Sequence, residues 1–224
     1  MASRPLPPAD LQRFERDGYV VARQAFPAAD ALAMEERWWR ELRDTHGIRR
    51  DDRSSWRAIP GNLKAAKRDP AHAAILTETV RGVFDDLLGP GTWSPPKDWG
   101  LAAVTFPAPG RWELPTHFWH SDNPCEPHLD RPRGLFVVSF IGPVAPRGGG
   151  TLILSGSPFM DRETLVEGVP LRVVELTGEP GDMVFCHPIM VHCGAPNRGV
   201  RPRFTRIKQQ FLTHEGRAQF RAMI

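Results

Sequence analysis

The apolar positions of this chain change period near residue 90: before it they recur at helical spacing, after it they come in short runs cut by proline and glycine. Leu11 and Phe14 within residues 7–17 predict a short amphipathic helix that stops at Gly18, and residues 19–22 predict a strand. Residues 28–46, with Leu32, Trp38, Trp39 and Leu42, predict a long helix ended by Gly47. The pattern dissolves over residues 48–66 into a charged loop around Trp56. Asp69 then suits an N-cap and Pro70 a first helical residue, with Leu76, Val80, Val83 and Leu87 carrying one helix to Gly89.

The second half offers strand-length runs at 101–106, 116–122, 135–141, 151–154, 171–176, 183–189 and 204–212, with no helical period between them. Such a succession argues for an antiparallel sandwich or barrel. Residues 181–210 read as one β-hairpin. In it, residues 183–191 lead into His192, a turn runs from Gly194 to Gly199, and a return strand starts at Arg203.

A chain of 224 residues sits within one domain, here mostly helical over 1–90 and β-rich over 91–224. Its 41% apolar and 25% charged residues are those of an ordinary globular protein. No run suits a membrane helix and MASRPLPPAD has no apolar signal core, so a cytoplasmic setting without a membrane partner is expected. Cys125, Cys186 and Cys193 are too few and too odd for a disulfide framework, which fits a reducing compartment. The net charge of +3 comes mainly from dispersed arginine, with only four lysines. No nucleic-acid motif accompanies it, so the expected partner is a small molecule of anionic character.

His120 and Asp122 stand two apart, so on a strand both side chains leave the same face, about 6.5–7 Å apart. His192 offers a third donor from a distant segment. Two histidines and one carboxylate on one face leave three positions of a metal open, the arrangement associated with Fe(II) oxygenases, whereas a closed four-ligand zinc site has no vacancy for substrate. His-x-Asp alone is a weak pattern, and His128 with Asp130 repeats it here. Cys186, His187, His192 and Cys193 lack Cys-x-x-Cys spacing, and neighbours on a strand face opposite ways, which argues against a zinc cluster. Arg203 and Arg201 both lie where a guanidinium could capture a carboxylate beside the metal. Trp38 and Trp39 read as helix packing, and Trp56, Trp93, Trp99 and Trp112 suit pocket and packing equally.

Four motifs in order resemble the phytanoyl-CoA dioxygenase family of Fe(II)- and 2-oxoglutarate-dependent oxygenases: LQRFERDGYVVARQAFPAADALAM, WHSD at Trp119 to Asp122, GGGTLILSGSP, and PGDMVFCHPIMVHCGAPNRGVRPR. The resemblance spans nearly the whole chain. It implies an α+β, mainly β fold, a double-stranded β-helix (jelly-roll, cupin-like) with N-terminal helices packed on one sheet. His120, Asp122 and His192 would be the iron ligands and catalytic centre, His187 a neighbour, and Arg203 rather than Arg201 the anchor of the far carboxylate of 2-oxoglutarate. Asn197 matches the family's asparagine in the same segment.

Dioxygen and 2-oxoglutarate would be consumed with release of succinate and carbon dioxide, and a small metabolite or natural-product intermediate hydroxylated. With Asp122 present, halogenation is not expected. Two departures stand out: the usual histidine after Gly-Ser is Pro158, and the small hydroxyl residue expected two positions beyond His192 is Gly194. Thr151, Thr205 and Lys97 are candidates for the missing co-substrate contact. The alternatives are a divalent-metal hydrolase or isomerase on the same barrel and a non-catalytic metal- or ligand-binding relative.

Overall fold

The computed structural model describes residues 6–122, 132–160 and 172–222, side chains of 219–222 excepted. Cys125 and the rival pair His128 and Asp130 lie outside the described residues. Helix α1 (Pro8–Asp17) ends at Gly18 in the left-handed region, strand β1 spans Tyr19–Ala22, and α2 (Ala28–His46) ends at left-handed Gly47.

The next stretch departs from expectation. A 3-10 turn at Arg53–Ser55 and a short helix α3 (Lys64–Arg68) occupy what reads as loop and its edge. Asp69 does cap a turn, but that turn is 3-10 (Pro70–Ile75), and α4 (Glu78–Leu88) starts afresh at Thr77. The Thr77 hydroxyl accepts from the Val80 N–H and donates to the Ala25 carbonyl, so this cap also ties the helix to the preceding chain.

The β half holds β2 (Leu101–Thr105), β3 (Gly134–Phe140), β4 (Thr151–Ser155), β5 (Arg172–Glu175), β6 (Met183–Cys186), β7 (His192–Gly194) and β8 (Arg203–Phe211), followed by α5 (His214–Ala222). They form a five-stranded sheet in the order β1-β6-β3-β8-β2 and a three-stranded sheet β5-β4-β7, with every ladder antiparallel.

Residues 181–210 are therefore not a hairpin. β6 and β8 lie in the large sheet, each beside β3, while β7 lies in the small one. Pro188 supplies the break: it has no N–H for a ladder, and a turn closed by the Met190 N–H on the His187 carbonyl carries the chain from one sheet to the other. Asn197 carries it back, donating to the Thr105 and Arg201 carbonyls while its own oxygen accepts from the Gly199 N–H. A Cβ on Gly149, itself left-handed, would stand 2.7 Å from that of Asn197, so the glycine turn and this turn interlock.

The two faces of the large sheet differ in what covers them. Phe14, Trp38, Leu42, Val80 and Phe84 of the helices pack on the outward Leu135, Val137, Phe185 and Phe204. The inward Phe136, Val138, Phe140 and Val184 meet Ile153 and Leu176 of the small-sheet side. The architecture is thus a jelly-roll-like sandwich with the helices laid against one sheet. Trp38 and Trp39 pack on Phe204, Trp56 on Trp39 and Phe106, and Trp93 and Trp99 on Phe84. Trp112 packs beneath the small sheet. Among the described residues no helix is long and apolar enough to cross a membrane.

Candidate metal centre

Alternation along the strands decides what faces the interior. On β4, Leu152 packs outward with Cys193, so Thr151 and Ile153 point in; opposite them on β7 stand Gly194 and His192. On β8, Phe204 belongs to the helix-side core and Ile207 to the interior, so Arg203, Thr205, Ile207 and Gln209 form one inward row.

Residues 116–122 are not the strand their pattern suggests. Only His120 is laddered, and it exchanges both backbone hydrogen bonds with His192, at 3.0 and 2.9 Å. Residues directly opposite in such a pair project to the same side, so the two imidazoles lie with centroids 4.4 Å apart. Trp119, one position before, turns the other way, packs with Leu152 and Cys193, and donates to the Pro115 carbonyl.

The convergence is completed by Asp122. Its Oδ1 lies 3.3 Å from His120 Nε2 and its Oδ2 3.8 Å from His192 Nε2, and one donor atom from each residue falls within 4.8 Å of the other two. Adjacent ligands about 2.1 Å from one ion stand about 3 Å apart when they occupy one face of it, so the spacing suits a single cation. Both histidines are fixed in the tautomer such a site needs: Nδ1 of His120 donates to the Phe118 carbonyl at 2.8 Å and Nδ1 of His192 to the Met190 carbonyl at 2.9 Å, leaving each Nε2 as an acceptor. Phe118 adopts φ 67°, a left-handed conformation rare for a bulky residue, and its side chain is 87% exposed at the mouth of the site.

Phe136 of β3 lies over His192 at 4.5 Å with rings 21° apart, and Gln209 Nε2 donates to Asp122 Oδ2 at 2.8 Å. Burial holds His192 below the ordinary imidazole range, so it stays neutral and ready to ligate. Among the described residues this is the only group of three or more His, Cys, Asp or Glu that could hold a metal. The described cysteines take no part, Cys186 facing the interior apolar cluster and Cys193 the outer one.

Arg203 is buried, its proton affinity lowered to a pKa of about 10 by desolvation. It forms no hydrogen bond among the described residues, and its buried Nε has no partner. Thr205, two positions on, likewise carries a buried unpartnered hydroxyl. Arg201 goes elsewhere, exposed and 3.8 Å from Glu35 of α2. Lys97 is exposed beside His72, near Asp98, whose carboxylate meets the outward Lys208, so it does not share the interior with Thr151 and Thr205. Gln209 and Phe136 carry no motif; counting by twos along β8 from Arg203 reaches Gln209, which is the signal that could have found it.

No family model matches the chain, and no curated protein matches it. Solved structures do. AviO1 from Streptomyces viridochromogenes Tue57 aligns with TM-score 0.62 at 19% identity over 94% of this chain and 96% of that one. EctD from S. alaskensis, solved with 2-oxoglutarate and 5-hydroxyectoine, aligns with TM-score 0.67 at 21% identity over 94% and 78%. SnoK, a non-haem α-ketoglutarate-dependent carbocyclase of nogalamycin biosynthesis, aligns with TM-score 0.64 at 18% identity over 92% and 84%. The chain has the fold of these enzymes.

Proposed function

We propose that this protein is an Fe(II)- and 2-oxoglutarate-dependent oxygenase of the phytanoyl-CoA dioxygenase type that hydroxylates a small metabolite or natural-product intermediate. The observation that carries this reading is the pairing of an open three-donor centre at His120, Asp122 and His192 with the buried guanidinium of Arg203, which has no hydrogen-bond partner among the described residues, on the same interior. A buried cation with no hydrogen-bonded anion is costly, and a keto-diacid has a carboxylate to spare for that task. Asn197, which matches the resembling family equally well, adds nothing to the case, because the turn it pins accounts for it.

The residues fit the cofactors by their chemistry. His120 and His192 would hold iron through Nε2, and Asp122 through one carboxylate oxygen. Such a centre supplies activation of dioxygen coupled to decarboxylation of 2-oxoglutarate. Arg203 would clamp the far carboxylate of the co-substrate, with the hydroxyls of the inward-facing Thr205 and Thr151 as candidate further donors. The space beside Gly194, where an added Cβ would meet no atom within 4 Å, leaves room between Thr151 and His192. Phe136 and the apolar interior cover the His192 side of the centre, while His120 and Asp122 stand at its open side.

An anionic substrate is supported by a cavity of about 590 Å³ lined by Arg13, Arg16, Asp17, Tyr19, Ser155 and Arg172. Tyr19 stands on the same rung of the large sheet as Cys186, Phe136 and Gln209, with Gln209 three strands away. That SnoK and SnoN, a carbocyclase and an epimerase of one natural-product pathway, share the fold supports a substrate of that class.

The deciding experiment measures succinate formed from 2-oxoglutarate in air, with and without Fe(II). Slow iron-dependent succinate release without any substrate is expected, and a screen of small-molecule pools should find compounds that stimulate it. Hydrolysis supported by Zn(II) with no succinate would point to a metal hydrolase instead, and metal binding without turnover to a non-catalytic relative; either outcome overturns the proposal.

A further inference from the structure

Each candidate ligand in this centre is held by a partner outside it, but the partners differ in kind. His120 and His192 are each pinned through Nδ1 by a carbonyl of their own segment, Phe118 and Met190. Asp122 has no such local anchor among the described residues. It sits at the end of a segment that is laddered only at His120, two residues earlier. Its carboxylate is reached instead from the large sheet, where Gln209 Nε2 donates to Oδ2 at 2.8 Å.

Gln209 is opposite Phe136 in the β3–β8 ladder, and Phe136 stacks on His192. One rung of the large sheet thus touches two of the three donors, although both donors belong to other segments. We propose that Gln209 is a positioning residue that sets the direction of the Asp122 carboxylate, leaving one oxygen for the metal and restraining the other. This rests on the metal-centre reading above. An amide suits the task because it donates to an acceptor-only carboxylate and adds no charge: a lysine there would oppose the cation, and an acid would compete as a ligand.

The test compares wild type with Gln209→Met, which keeps the length and removes the donor, and Gln209→Asn, whose amide stops one carbon short. Divalent-metal affinity is read by anaerobic Fe(II) titration against a chromophoric chelator, and donor geometry by the visible absorption of the Co(II)-loaded protein. The melting temperature of the metal-free protein checks the fold. Both variants should bind Fe(II) about 10–100-fold more weakly and shift the Co(II) bands, while metal-free melting stays within about 2 °C of wild type.

A merely structural glutamine would lower the melting temperature and leave affinity and spectrum alone, and that result overturns the inference. So does wild-type affinity with a wild-type spectrum in whichever variant folds. Failure of the wild-type protein itself to bind Fe(II) would instead sink the proposed function, so the two failures are told apart.

Discussion

Two arginines on β8, Arg203 and Arg206, are both buried, at 8% and 1% exposure, and burial lowers both to a pKa of about 10. They face opposite ways. Arg206 points into the helix layer, where its guanidinium lies 5.5 Å from the Trp38 ring, donates to the Ala66 carbonyl, and is attracted by Asp69 and Asp98. Its Nε and Nη1 are nevertheless unpaired. Arg203 points into the sandwich, stacks on no ring, and has no hydrogen-bond partner among the described residues; Glu175 is the charge that acts on it. Neither burial nor weakened proton affinity tells a ligand-binding arginine from a packing one. The difference is what surrounds the guanidinium: a ring, a carbonyl and two acids on one side of the sheet, and on the other Glu175 and the interior that the candidate metal donors also face.

The strongest way to break this comparison is to replace each arginine. Arg203→Met removes a buried charge that has no hydrogen-bond partner among the described residues, so the melting temperature of the metal-free protein should hold steady or rise. The kcat/KM for 2-oxoglutarate should fall about 100-fold or more, the loss of a charge-assisted carboxylate clamp of about 3 kcal/mol. Steady-state succinate assays and calorimetry check the two halves. A variant with unimpaired turnover would remove Arg203 from the site.

Arg206→Ala should do the reverse. It vacates the space under Trp38 and strands the Ala66 carbonyl, which predicts a loss of about 2–4 kcal/mol. In a chain of this size that lowers the melting temperature by roughly 5–10 °C. Activity per folded molecule should stay near wild type, and chemical denaturation beside the succinate assay separates the effects.

The same division explains what could be read from the chain. The positions of α1 and α2, the body of α4 and the strands β1 to β6 and β8 follow from local period, because a helix needs one apolar stripe and a sheet strand needs alternation or a buried run. His120, Asp122 and His192 were legible as donors, and they do converge. The reason offered for their convergence was wrong, since 116–122 is no strand and a single backbone bridge to His192 aligns them. The hairpin over 181–210 failed for a related cause. Two apolar runs joined by a glycine turn look alike whether they pair with each other or cross between sheets, and the register is settled by partners far away, with Pro188 as the local hint. Gln209 was invisible because one amide on a strand means nothing until Asp122 is brought to it. The short α3 and the mainly polar α5 lack the apolar stripe that marked α1, α2 and α4.

A smaller effect sharpens the helix side of the comparison. His187, packed against Phe14 and Phe159 at the end of β6, is held neutral by burial, its pKa falling to about 4. An unfolded histidine titrates near 6.5, so below that pH the unfolded chain takes up a proton that the native chain refuses. Stability conferred by the neutral ring is complete above about pH 6.5 and drains away as pH falls toward 4. At pH 5 the loss is about 2 kcal/mol. Denaturation of wild type and His187→Leu at pH 7 and pH 5 should show the variant losing less on acidification, and equal losses in both would discard the assignment.

The finest probe returns to the inward face. Gly194 stands on β7 opposite Thr151, its backbone outside the left-handed region, and a Cβ placed on it meets nothing within 4 Å. Gly194→Ser therefore has both room and an allowed backbone, and the melting temperature should change by no more than about 2 °C. If the space between His192 and Arg203 is where 2-oxoglutarate lies, the added hydroxyl gains one hydrogen bond worth about 0.5–1.5 kcal/mol and lowers KM for the co-substrate about 2–10-fold. The matching change outside the cavity, Cys193→Ser, falls among Leu152, Ala195 and Trp119 and should leave that KM alone while costing stability, because its hydroxyl enters an apolar cluster. Adjacent residues on one short strand would then answer in opposite currencies, affinity on the inner face and stability on the outer. A Gly194→Ser protein with wild-type melting and an unchanged KM would show that the co-substrate does not pass beside β7.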